Sequence, residues 1–143
     1  MLSIVDAGPL FGALDPKDPD HAQSREILER PDLQLVIPAL VVAEASYLAQ
    51  RRIGPHAERL LFAGLADMDV VAPSPEDFLR MAELVERHAD WPLGGCDASV
   101  LALAERLGTT TVITFDHRHF GALRTAAGEP LTLLPDPADL TDR

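Results

Sequence analysis

The chain has 143 residues, 47% of them hydrophobic, and a formal net charge of −11. That length and apolar content fit one domain with its own core, and the charge excludes a binder held to a polyanion by overall attraction, so any contact with nucleic acid has to be local. No apolar run approaches the roughly 18 residues of a membrane span. The opening Met1-Leu2-Ser3-Ile4-Val5 lacks the basic start and long apolar stretch of a secretory signal, and the single Cys96 cannot form an internal disulfide; together these point to a reducing cytoplasm.

In chain order, Leu2 to Val5 reads as a short buried strand, after which Gly8-Pro9 turns the chain into a helical segment over Leu10 to Leu14. A polar loop, DPKDPDH, leads to a helix from His21 to Glu29 and a second strand from Leu33 to Ile37. Pro38 suits the first turn of a long helix ending near Arg52. Gly54-Pro55 breaks that helix; a further helix, His56 to Ala66, precedes a strand over Asp69 to Ala72. Pro75 to His88 is helical, WPLGGC is a loop, and Asp97 opens a regular helix that Gly108 ends. Strands over Thr110 to Phe115 and Leu131 to Leu134 complete the pattern.

Strands that alternate with helices and are written as nearly continuous apolar runs predict a parallel sheet covered on both faces. The expected fold class is therefore α/β, a three-layer α/β/α sandwich with a mostly parallel central sheet. Without internal repeats or long linkers, residues 1–143 read as one domain. Right-handed crossovers would align the carboxyl ends of the strands along one edge, where open α/β sheets bind ligands.

Asp6 and Asp116 each follow a strand directly and reach that edge. Asp97, after the Gly94-Gly95 turn, stands at a helix start facing the same way. Each has an ordinary alternative as a helix cap or turn residue. Glu44 differs: Leu40, Val41, Tyr47 and Leu48, three and four positions away, form the apolar face of its helix, so a carboxylate there needs a partner or an exposed edge of the stripe. If the four acids converge, two unit charges about 5 Å apart at an effective dielectric of about 20 repel by roughly 3 kcal/mol. A cation would offset this. Oxygen ligands without His or thiolate at matching positions suit Mg2+ or Mn2+, ions whose waters can attack phosphorus.

Four stretches, IVDAGPLFGAL with Asp6, PALVVAEASYLA with Glu44, GGCDASVLALAERLG with Asp97 and TTVITFDHRHFGAL with Asp116, together resemble the PIN-domain nucleases, most closely the VapC-type ribonuclease toxins of bacterial toxin–antitoxin pairs. The likeness covers nearly the whole chain. It implies a metal-dependent endoribonuclease in which Asp6, Glu44, Asp97 and Asp116 hold one or two divalent ions and position water for in-line attack on an RNA phosphate. Thr114 falls where the family often has a small hydroxyl residue near the metal. The resemblance also implies a homodimer, a structured RNA substrate such as tRNA or rRNA, and a cognate antitoxin whose C-terminal tail puts an Arg or other side chain into the acidic site. DNA would be met only indirectly, through that antitoxin.

Arg118 and His119, with Arg51 and Arg52 at the end of the Glu44 helix, are candidates to meet the RNA backbone; the alternatives are a solvated loop and a response to the helix macrodipole. Cys96 at a helix start invites a nucleophile reading, which Asp97 beside it opposes. The five His residues show no zinc spacing, and no phosphate-binding glycine loop appears. A phosphoacceptor receiver domain also gathers acids at strand ends but needs a Lys near the last strand, whereas the only Lys is Lys17. A noncatalytic acidic module that binds a basic peptide is the remaining alternative, and the charge of −11 favours it. A metal requirement would separate it from a nuclease.

Overall fold

The structure, a computed structural model, describes residues 1–140; residues 141–143 of the expected single domain lie outside the described residues. Its five strands are β1 (Leu2–Val5), β2 (Gln34–Pro38), β3 (Asp69–Val71), β4 (Thr111–Ile113) and β5 (Thr132–Leu134). They lie in the order β3-β2-β1-β4-β5, and every neighbouring pair is parallel. The helices are α1 (Ala7–Leu14), α2 (His21–Leu28), α3 (Ala39–Arg52), α4 (Pro55–Leu65), α5 (Pro75–Arg87), α6 (Gly95–Leu107) and α7 (His117–Ala122), followed by a 3-10 turn at Pro137–Leu140. The α/β sandwich with a parallel sheet is thus as the apolar runs predict.

Chain direction explains the layers. From β1 the sheet grows one way through β2 to β3, and right-handed crossovers carry α1 to α4 on one face. The chain then returns through α5 and α6 to β4, on the other side of β1, which places those helices on the opposite face. Consistent with this, α1 packs against α2, α3 and α4, and α5 against α6. In α6 the run Ala98 to Ala104 is buried without interruption, as expected of a helix enclosed by sheet and neighbouring helices. The reversal of strand order falls between β1 and β4, the place at the carboxyl ends of the strands where open α/β sheets bind ligands.

Several boundaries depart from the sequence reading. Helix α1 begins at Ala7, so Gly8-Pro9 lies inside its first turn rather than before it; a first-turn Pro lacks only an N–H that no helical carbonyl would accept. Pro38 closes β2 opposite Val71 instead of opening α3. Helix α6 starts at Gly95 with Gly94 as its cap residue, which makes Asp97 an interior first-turn residue and not the opener. The stretch after Asp116 forms α7 rather than a loop. Gly108 ends α6 at φ 72° as expected, in the left-handed region that side chains avoid.

Among the described residues, no helix is long and apolar enough to cross a membrane. Tyr47 on α3 and Leu60 and Phe62 on α4 are 58%, 42% and 50% exposed. On α5, Phe78, Leu79 and Val85 are also exposed.

Candidate metal centre

The site begins with strand register. Val5 pairs with Ile113, and the next amide, that of Asp6, donates to the Ile113 carbonyl at 2.9 Å. Asp6 and Thr114 therefore leave their strands side by side at the switch point. Asp6 takes the cap position of α1 without any side-chain capping bond; its Oδ2 instead accepts from Thr114 Oγ1 at 2.8 Å. Thr114 is fully buried, and its hydroxyl also accepts from the Asp116 amide at 3.0 Å. One hydroxyl thus links the acids that follow β1 and β4.

Helices α3 and α6 touch one another and bring in the rest. Ligand atoms of Asp6, Glu44 and Cys96 lie within 4.8 Å of one another. Of the two readings given for Glu44, the exposed edge of the stripe is the one found: Glu44 is exposed, and the buried stripe of α3 is Val41, Ala45 and Ala49. Tyr47, expected on the apolar face, points largely into solvent. Glu44 therefore reaches the cluster from its rim, with no need for a buried partner. Cys96 corrects a second expectation, since sulfur does stand among the oxygens.

Asp97 and Asp116 join electrostatically. Burial raises the Asp97 carboxyl from its ordinary 3.8 to about 7, the charges of Asp6, Asp116 and Glu44 push the same way, and His119 opposes them. Asp6, only 7% exposed, is also raised, by burial first; bonds from Thr114 and the Ala7 amide oppose this, and Glu44 and Asp116 add to it. Burial likewise pushes the Cys96 thiol up, helped by its bond to Glu44 and by the neighbouring acids. A thiol held protonated is neither a nucleophile nor a ligand for a soft metal, so the helix start does not activate it.

Asp116 caps α7, accepting from the His119 amide at 3.1 Å. His119 Nδ1 lies 3.0 and 2.9 Å from the two Asp116 oxygens, and because an ionised carboxylate only accepts, Nδ1 carries the proton. On its other side the His119 ring stacks on Trp91. His117 turns inward, with Nε2 donating to the Thr114 carbonyl at 3.0 Å, while Arg118 is exposed. Arg51 and Arg52 are exposed at the far end of α3, with the Arg52 guanidinium 5.5 Å from the centre of the Phe11 ring. Arg51 follows Glu44 by seven residues, two turns and about 10 Å along the same helix face.

A divalent cation fits this donor set. Carboxylates that hold one another's ionisation back, one of them buried, form a site of concentrated negative charge. The donors are hard oxygens, and the one sulfur stays protonated, a set that suits Mg2+ or Mn2+ better than zinc.

A cluster of acids at the switch point of a five-stranded parallel sheet, two of them following β1 and β4 and two standing on α3 and α6, defines a class of metal-dependent nuclease domain. Residues 3–125 match the profile of the PIN domain, and the chain belongs to that family. It is 34% identical over 134 residues to Ribonuclease VapC26 of Mycobacterium tuberculosis, an alignment that spans 92% of this chain and 99% of that protein. Among solved structures it resembles VapC20 of Mycobacterium tuberculosis, described as a sarcin–ricin loop cleaving toxin, with a TM-score of 0.74, 18% identity, and coverage of 83% of this chain and 95% of that one. It also resembles VapBC2 of Rickettsia felis bound to a promoter DNA fragment, with a TM-score of 0.67, 16% identity, and coverage of 93% and 97%. At these identities the two structures speak for the fold.

Proposed function

We propose that the protein is a divalent-metal-dependent endoribonuclease acting as the toxin of a toxin–antitoxin pair on structured RNA in the cytoplasm. The observation that carries this reading is the gathering of Asp6, Glu44, Asp97 and Asp116 at the carboxyl edge of a PIN sheet, close enough for their charges to oppose one another's ionisation. The 34% identity to a VapC ribonuclease over nearly all of both chains supports the activity and the toxin role. Structural neighbours that are toxin–antitoxin complexes support a cognate antitoxin as partner.

In this reading Asp6 and Glu44 hold the ion, and Asp97 and Asp116 bind it or orient its water. Bound there, Mg2+ or Mn2+ supplies a Lewis acid for the phosphoryl oxygens and a water of lowered pKa. Thr114 holds Asp6 Oδ2 in place, and the His119 N–H and the α7 cap hold Asp116. Arg118 and Arg51 stand near enough to the pocket in sequence to meet phosphates that the acids repel. An apolar groove between α1, α2 and α4, lined by Leu10, Leu14, Leu28, Leu60, Leu65 and Met68, offers the antitoxin a face to bury. Tyr47 on α3 and Phe62 on the neighbouring α4, both exposed, suit a second copy in a homodimer.

The test is cleavage of a mixed structured RNA pool by purified protein with Mg2+ or Mn2+, with EDTA, and with Asp97→Asn prepared identically. Cutting that requires both the metal and Asp97 is expected. Cutting that survives EDTA or Asp97→Asn would defeat the assignment, and binding of a basic peptide without any cutting would favour the noncatalytic acidic module.

A further inference from the structure

Beside the acids lies an aromatic array of which only His119 has a part in the reading above. The segment between α5 and α6 lays the Trp91 indole on the His119 imidazole, with ring centres 4.7 Å apart and planes 24° from parallel. His88 meets the indole at a steeper angle, 65°, with ring centres 6.3 Å apart. His119 in turn holds both oxygens of Asp116. A continuous line of contact therefore runs from Trp91 to a carboxylate of the site. Trp91 is only partly buried.

Charge makes such a surface useful. A chain of net charge −11, with four acids at its pocket, repels an incoming phosphate backbone. Stacking of a base on an aromatic ring is attractive whatever the sign of the surrounding field, and it requires a base freed from its helix.

We propose that Trp91 is a substrate-positioning residue: with His119 and His88 it forms a platform on which an unpaired RNA base next to the scissile phosphodiester stacks. The inference rests on the nuclease reading and deepens it, restricting cleavage to looped or single-stranded segments. Because His119 is shared between the platform and Asp116, a stacked base is fixed relative to the acids that do the chemistry.

The experiment compares full-length wild type, Trp91→Ala and Trp91→Phe in steady-state cleavage of a single-stranded oligoribonucleotide with Mg2+. Trp91 is the only tryptophan, so indole fluorescence of the Asp97→Asn protein, titrated with the same oligoribonucleotide and with its abasic ribose-phosphate counterpart, reads the platform directly. Trp91→Ala is expected to raise KM roughly tenfold with kcat changed far less, and Trp91→Phe to restore most of the loss. The base-bearing chain should quench the indole and the abasic chain should not. A KM for folded Trp91→Ala within about twofold of wild type, or equal quenching by both chains, would overturn the proposal; if Trp91→Ala does not fold, Trp91→Phe and the quenching decide. Wild type that cuts no RNA but shows base-dependent quenching would remove the nuclease reading and keep the platform, and cutting without such quenching would do the reverse.

Discussion

The Thr114 hydroxyl, fully buried, donates to Asp6 Oδ2 at 2.8 Å and accepts from the Asp116 amide at 3.0 Å, joining two acids 110 residues apart in the chain. Both of its hydrogen-bonding roles are used, and the bond to Asp6 opposes the effect of burial on that carboxyl. Thr114→Val, close in shape, leaves the carboxylate short of a donor. It is expected to destabilise the protein by about 1–3 kcal/mol at neutral pH and to weaken Mg2+ binding, while Thr114→Ser stays near wild type. Urea unfolding and calorimetric titration of Mg2+ check both, and a Thr114→Val protein that matches wild type in each would remove this role.

Asp97 makes stability depend on pH in a stated direction. Its folded carboxyl titrates near 7 against an ordinary 3.8, so as pH rises through that window the unfolded chain gives up a proton that the folded one retains. The unfolded state binds fewer protons there, and stability falls with rising pH; the raised Asp6 acts in the same sense. Metal-free protein should therefore melt lower at about pH 8 than at about pH 5. Added Mg2+ should offset the loss most at the higher pH, where the carboxylates are ionised. Asp97→Asn should flatten the profile and raise the metal-free Tm near pH 8 by on the order of a few °C. Scanning calorimetry at several pH values is the measurement, and a metal-free Tm that climbs across this range would contradict the charge crowding.

Asp77 provides the opposite case. It is as buried as Asp6, at 5% exposed, but its Oδ2 accepts from the Ser74 amide at 2.9 Å and from Arg106 Nε at 2.8 Å, and its amide bonds Ser74 Oγ. Here a capping box and an ion pair satisfy the carboxylate, with no call for a metal. Ser74→Ala should cost about 1 kcal/mol, and Asp77→Ala roughly 2–3 kcal/mol. Neither should alter RNA cleavage by the folded protein. Asp97→Asn should do the reverse, losing cleavage and keeping stability, so parallel unfolding and cleavage assays on the three variants distinguish a structural acid from a site acid.

Cys96 lies among ligand atoms of the site, but burial and its acidic neighbours hold the thiol in its protonated form. Iodoacetamide should alkylate it far more slowly than a free cysteine at about pH 8, because only the thiolate attacks. Cys96→Ala should keep metal-dependent cleavage within a few-fold of wild type. Mass spectrometry of the labelled protein and a cleavage assay test the two halves, and rapid alkylation would show a thiol more acidic than this environment allows.

Much of the fold was legible because local rules coincide with it. Apolar runs such as Leu2–Val5 and Leu35–Ile37 are bounded by turn residues and separated by helical patterns, which leaves few arrangements besides a parallel sheet. The carboxylates after β1 and β4 could be assigned to one edge because parallel strands end on the same side. The short helix α7 was not legible: HRHFGA is only six residues long, with a Gly inside, and Asp116 makes it a helix by capping it. Nor could helical periodicity decide between the two readings of Glu44. Its apolar neighbours mark a face, but how far that face is covered depends on α1 and α4 packing beside it, so Tyr47 and Glu44 stay exposed while Ala45 and Ala49 are buried.

By itself the sequence determined the types of chemistry available: four acids in a family-like order, no phosphate-binding glycine loop, one cysteine and a single lysine far from any strand end. Only the tertiary structure decided which groups meet. The Thr114 bridge, the approach of Cys96 to Glu44 and the stacking of Trp91 on His119 all join different elements. Their geometry follows from strand register and from helices crossing the sheet, and a hydrogen bond or a stacked pair depends on distances of a few ångströms that spacing along the chain does not fix.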